Sequence, residues 1–156
     1  MSLQALTARA AAGALFVALV AAPVHAQRAH VGPHGGYNLD SDHALVGAQM
    51  LLPIVPLVEL YPSFDYYFAS GASLLSFSGD LKLRFPTGGG TDAYVGGGVN
   101  LQHSSVAGTG ATDTGWDMLF GLESRRGVTH PYVEGRALRH GRSQFQLLAG
   151  LNVTLY

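Results

Sequence analysis

The chain has 156 residues, no cysteine and a formal charge of −1. A length of that order fits one domain beyond any leader, the missing cysteines exclude a disulfide scaffold, and the near-neutral charge gives no reason to expect a nucleic-acid partner. Charged residues are 12% and hydrophobic residues 47%, with a mean hydropathy of +0.20. That is an unusual balance for a small soluble domain, which needs a polar exterior.

The first segment reads as an export signal. Residues 1–9 carry one positive charge at Arg9, residues 10–20 form an apolar run, and Val24-His25-Ala26 ends on small residues at cleavage spacing. The apolar run is well short of the roughly 20 residues that span a bilayer as a helix, so a signal peptide over 1–26 is preferred to a retained anchor. The remaining domain is 27–156. Removing Arg9 takes the formal charge from −1 to −2.

Turn signals divide this domain into eight predicted strands, over residues 29–39, 43–52, 57–68, 73–85, 92–103, 114–123, 130–140 and 143–155. The punctuation is Asp40-Ser41-Asp42, Pro53-Ile54-Val55-Pro56, Ser70-Gly71, the glycine run after Pro86, Gly108-Thr109-Gly110, Gly127 and Gly141. The strands have two unlike faces. In the fourth, Leu75, Phe77, Leu81, Leu83 and Phe85 alternate with Ser76, Ser78, Asp80, Lys82 and Arg84. In the third, Val58, Leu60, Phe64, Tyr66 and Phe68 oppose Glu59, Ser63 and Asp65, and in the sixth Trp116, Met118, Phe120 and Leu122 oppose Asp117 and Glu123. The last strand alternates to the end of the chain, with Leu148 alone out of step.

Alternation does not say which face is outside, since a soluble eight-stranded barrel carries the same pattern inverted. Three features favour an apolar exterior. The apolar set is too large for an eight-stranded interior. Small residues Gly32, Gly36, Gly47, Gly96, Gly98, Gly121 and Gly150 sit on the polar face, where a crowded lumen suits them. Lys82 is the chain's one lysine, whereas a soluble barrel keeps a charged exterior. The expected fold is all-β, an eight-stranded antiparallel up-and-down transmembrane β-barrel.

The stretches Tyr94-Val-Gly-Gly-Gly-Val-Asn-Leu101, Asp113-Thr-Gly-Trp-Asp-Met-Leu-Phe-Gly-Leu-Glu123 and Pro131-Tyr-Val-Glu-Gly-Arg136, with the alternating last strand, resemble the outer-membrane β-barrel domain family of small porin-like and outer-membrane-protein-A-like barrels. The family usually ends on an in-phase Phe, whereas Tyr156 is out of phase with Leu155, Val153 and Leu151. The resemblance implies an outer-membrane location, lipid as surroundings, insertion by the barrel-assembly machinery and a periplasmic N-terminus. On that orientation the longest connection, residues 104–113, is an outer loop.

The inward phase carries Glu59, Asp65, Asp80, Lys82, Arg84, Asp117, Glu123, Glu134 and Arg136. Unpaired charges in a narrow lumen are costly, so these nine are expected to form a hydrogen-bonded ion-pair plug in a monomeric structural or envelope-maintenance protein, with no catalysis and no cofactor. A narrow porin-like channel is the alternative. A lipid A-modifying enzyme comes third: His130, His140 and Ser143 supply a base and a nucleophile, but no carboxylate lies nearby in sequence. His30 and His34, about 13 Å apart by strand rise, make poor co-ligands and read with His43 and His103 as strand-end residues. Tyr61, Tyr66, Tyr67, Phe68, Phe85, Trp116 and Tyr132 read as interfacial girdle residues, because the basic residues of a nucleic-acid stacking platform are missing.

Overall fold

The computed structural model describes residues 28–69, 71–106 and 109–155. The signal-peptide expectation over 1–26 and the terminal Tyr156 lie outside them. The period-two segments pair in chain order as β1 (His30–Asn38), β2 (His43–Val55), β3 (Val58–Tyr67), β4 (Ser73–Pro86), β5 (Thr91–Val106), β6 (Thr109–Ser124), β7 (Thr129–His140) and β8 (Arg142–Thr154). Every neighbour is antiparallel, and β1 also pairs with β8 through Val31↔Val153 and Asn38↔Gln146, so the sheet closes into a barrel. Closure removes the seam that an open sheet would leave, and the Leu39 amide to Phe145 carbonyl bond of 2.9 Å extends it past the ladder.

The faces sort by polarity in the opposite sense to a soluble protein. Phe77, Leu81, Val99, Met118, Phe120 and Leu151 are exposed on the outer wall, while Asp80, Lys82, Glu123, Arg136, Gln146 and Asn152 are buried inside. Leu148 shares the inward phase. It packs in the lumen against Leu45 and Tyr67, which explains its departure from the apolar alternation of β8.

Two connections differ from expectation. Residues 104–113 are not a loop: β5 and β6 stay paired up to Val106↔Thr109, and His103 Nδ1 lies 2.9 Å from Thr112 Oγ1 across the ladder. Above an apolar wall both faces of a hairpin are polar, so the alternation that marks a strand disappears although main-chain pairing continues. The Pro53-Ile54-Val55-Pro56 turn is also shorter than expected. β2 runs through Val55 with a register shift between Pro53 and Val55, leaving a reversal at Pro56-Leu57 in which Leu57 takes a φ of 69°.

Candidate functional site

The lumen is built in layers from inward positions of all eight strands. Alternation on β7 aims Tyr132, Glu134, Arg136 and Leu138 inward, and Arg136 becomes the hub of the middle layer. Its guanidinium lies 3.1 Å from Glu134 Oε1, 3.4 Å from Asp80 Oδ2 and 3.5 Å from Asp117 Oδ2. It also donates to Ser63 Oγ at 3.2 Å and Ser78 Oγ at 3.0 Å, and its side chain is 1% exposed. Three carboxylates on β4, β6 and β7 thus converge on one cation across the barrel.

A second hub lies toward the N-terminal end, where Arg84 meets Glu59 Oε2 at 2.6 Å, Glu123 Oε2 at 2.9 Å and Asp92 Oδ2 at 3.3 Å. Arg125, about a third exposed, adds a second cation 3.4 Å from Asp92. Asp92 and Arg125 were not among the nine charges singled out from the sequence.

Lys82 joins neither hub by hydrogen bond. Its ammonium, fully buried, sits 4.0 Å from the Tyr61 ring centre, 3.8 Å from that of Tyr94 and 5.8 Å from that of Tyr132. Leu51 and Leu119 complete this apolar layer. Aromatic faces attract a cation most strongly where water is excluded, so the tyrosines replace part of the lysine's hydration. The assignment of Tyr61, Tyr67 and Tyr132 to an exterior girdle is therefore corrected: all three are buried in the lumen, whereas Tyr66, Phe68, Phe85 and Trp116 are exposed outside. Each displaced tyrosine shares the phase of its strand's charges. Its ring fills space; the Tyr67 hydroxyl also accepts from Gln146 Nε2 at 2.6 Å, whereas the buried Tyr61 and Tyr132 hydroxyls have no hydrogen-bond partner among the described residues.

His34 is a second correction. It is a mid-lumen residue, with Nε2 2.5 Å from Asp65 Oδ1 and Nδ1 bonded to Gln49 Oε1. Gln49 Nε2 donates to Asn152 Oδ1 at 2.7 Å, and Asn152 Nδ2 donates to Glu123 Oε1 at 3.1 Å. Asp65, His34, Gln49, Asn152, Glu123, Arg84 and Glu59 therefore form one unbroken bonded line across β3, β1, β2, β8, β6 and β4. Strand phase was the signal that could have found His34, Gln49 and Asn152, since they alternate with outward residues just as the carboxylates do.

Inward glycines make this density possible. A Cβ at Gly121 would meet the Tyr94 ring at 2.5 Å, and the bare backbone there lets Tyr94 reach across β6 and donate to Glu134 Oε2 at 3.0 Å. At Gly47 a Cβ would strike His34 and Asp65, and at Gly150 the Tyr132 ring at 2.7 Å. Grooves of about 240 and 470 Å³ lie on the outer wall, the larger over Gly97 between Leu81 and Met118.

The residues proposed for an acyl-transfer arrangement are not brought together. His130 Nε2 bonds the Gly127 carbonyl at 3.0 Å beside His30 at the N-terminal end, while His140 bonds Asn100 Oδ1 at 2.5 Å at the opposite end, where Ser143 is exposed. Among the described residues no group of three or more His, Asp or Glu side chains has a metal-holding arrangement.

The barrel matches solved structures over most of its length. The N-terminal β-barrel domain of Pseudomonas aeruginosa OprF superposes with a TM-score of 0.72 at 17% identity, covering 82% of this chain and 97% of that one. This chain has the fold of the small outer-membrane β-barrels. Neisserial surface protein A matches with a TM-score of 0.64 at 13% identity, covering 82% of this chain and 95% of that one. A chain from a de novo design of transmembrane β-barrels matches at 0.63 and 15%, with the same two coverages of 82% and 95%. No protein-family model matches the sequence, and no curated protein matches it. At such low identities the likeness carries architecture, and function has to be argued from the lumen.

Proposed function

We propose that the chain is an outer-membrane barrel with a sealed, side-chain-filled lumen and a structural or envelope-maintenance role, exported under the leader over residues 1–26 and inserted as a monomer. The observation that carries this reading is the cross-lumen network. Arg136, Lys82 and Arg84 stand on successive levels with their carboxylate and tyrosine partners, and eight strands leave little room beyond such side chains. The exposed apolar wall supports a lipid setting, because hydrocarbon is the surroundings in which Leu81, Val99 and Phe120 lose nothing by facing outward.

Two measurements test it together. Fractionation of cells expressing the full chain is expected to place it in the outer membrane, with gel mobility that changes on boiling; recovery as a soluble periplasmic monomer overturns the membrane reading. The purified barrel in planar bilayers is expected to show no steady single-channel conductance. A reproducible open level would replace the sealed lumen by a narrow pore.

A further inference from the structure

The two ends of the barrel are unequally finished. At the end away from the N-terminus, β6 continues beyond the last residue that β7 pairs with. The β6–β7 ladder stops at Trp116↔Arg139, whereas β6 stays bonded to β5 as far as Thr109. Gly115 still abuts the Arg139 carbonyl, so residues 109–114 form a strand edge with a neighbour on one side only, among the described residues. The far side of the hairpin is covered, because β4 follows β5 up to Ser73↔Ser105.

Proteins usually blunt such edges with lysine, proline, a bulge or a covering segment. Residues 109–114 read Thr-Gly-Ala-Thr-Asp-Thr, with neither lysine nor proline, no register shift and every residue exposed. Small Gly110 and Ala111 leave the backbone accessible. Both faces are polar or small, which does not suit acyl chains. Asp113 is the edge's one charge.

We propose that residues 109–114 of β6 are a docking strand for an extended segment of another protein, added antiparallel by main-chain pairing and carrying a basic side chain opposite Asp113. A second copy fits less well. In the proposed membrane setting two adjacent copies present β6 pointing the same way, and an in-register parallel pair sets Asp113 against Asp113. Strand addition needs only the ladder's unpaired amides and carbonyls, and the aspartate fixes the register.

The test uses the full mature chain in lipid nanodiscs and reads amide hydrogen exchange residue by residue. The probe is the peptide acetyl-Thr-Thr-Lys-Thr-Val-Thr-Val-amide, compared with the same peptide carrying Asp for Lys. With the lysine peptide, alternate amides in 109–114 are expected to slow by about tenfold at saturation, while outward residues of β8 stay unchanged. The aspartate peptide is expected to protect less, and Asp113→Lys to reverse that order. No protection, equal protection by both peptides, or an order that Asp113→Lys leaves unchanged overturns the proposal. Protection that grows with protein concentration in the absence of peptide assigns the edge to a second copy, which also overturns it. Exchange reads the edge alone, so its failure is distinct from a failure of the sealed-lumen reading, which appears as conductance.

Discussion

The two arginine hubs hold three carboxylates each, yet they solve the problem of buried charge differently. Arg84 makes short contacts of 2.6 and 2.9 Å, with Arg125 nearby to share the negative charge and Asn152 donating to Glu123. Arg136 stands on a deeper level at 3.1–3.5 Å from its carboxylates, and neither oxygen of Asp80 accepts a hydrogen bond from the described residues. A charge near the rim can be relayed toward water, whereas in mid-lumen Arg136 is the one cation in contact with Asp80 and Asp117 among the described residues, and Glu134 has the Tyr94 hydroxyl besides. The deeper hub should thus be the more fragile to loss of its arginine, although the rim hub has the closer contacts.

The largest expected effect tests that asymmetry. Arg136→Ala strands Asp80 and Asp117 and leaves Glu134 its bond from Tyr94, and should cost about 3–5 kcal/mol, the usual scale for breaking a buried pair. Urea unfolding of the barrel refolded into lipid vesicles measures it. Arg84→Ala should cost less, about 1.5–3 kcal/mol as for lost hydrogen bonds between charged groups, because Asn152 and Arg125 remain. Equal or reversed costs would mean that depth does not govern the hubs.

Next comes the outer wall, which both hubs need as a barrier. Leu81→Arg or Phe120→Arg should cost roughly 2–4 kcal/mol in the same titration if those positions lie near the bilayer midplane, while Thr112→Arg on the projecting hairpin should be nearly silent. Similar costs at all three sites would contradict an apolar band that ends below the hairpin.

Packing between the hubs is sharpened by Gly121→Ala. The added methyl meets the Val133 carbonyl of β7 as well as the Tyr94 ring, so it strains the β6–β7 ladder and displaces the bond to Glu134, for a cost of at least about 1–3 kcal/mol typical of overpacking. Gly79→Ala, on the outward face with nothing near its Cβ, is the matched control and should change little. Smallest is Tyr67→Phe, which removes the acceptor for Gln146 and should cost about 0.5–1.5 kcal/mol. A loss as large as that of Arg136→Ala would move the structural centre of the lumen toward the opposite end.

Strand existence, number and facing were legible in the sequence, because backbone pleat makes side-chain direction a local property: Lys82 and Arg84 must share a face whatever the rest of the chain does. The same rule already carried Tyr61, Tyr67, Tyr132 and His34 into the lumen. Residue type hid them, since tyrosine suits an interface and a filled interior equally, and His34, although mid-strand in the predicted first strand, groups by residue type with the strand-end histidines. The β5–β6 hairpin was hidden for the complementary reason, because outside an apolar layer pairing persists without alternation.

What the sequence could not fix is which inward groups meet. Arg136 finds Asp80 on β4 and Ser63 on β3, and Glu123 finds both Arg84 and Asn152, partners separated by dozens of residues. Those meetings depend on ring closure, on the register summed around eight strands and on how far each side chain reaches across the lumen. Local alternation selects the lumen's contents, and the closed geometry of the barrel decides their contacts.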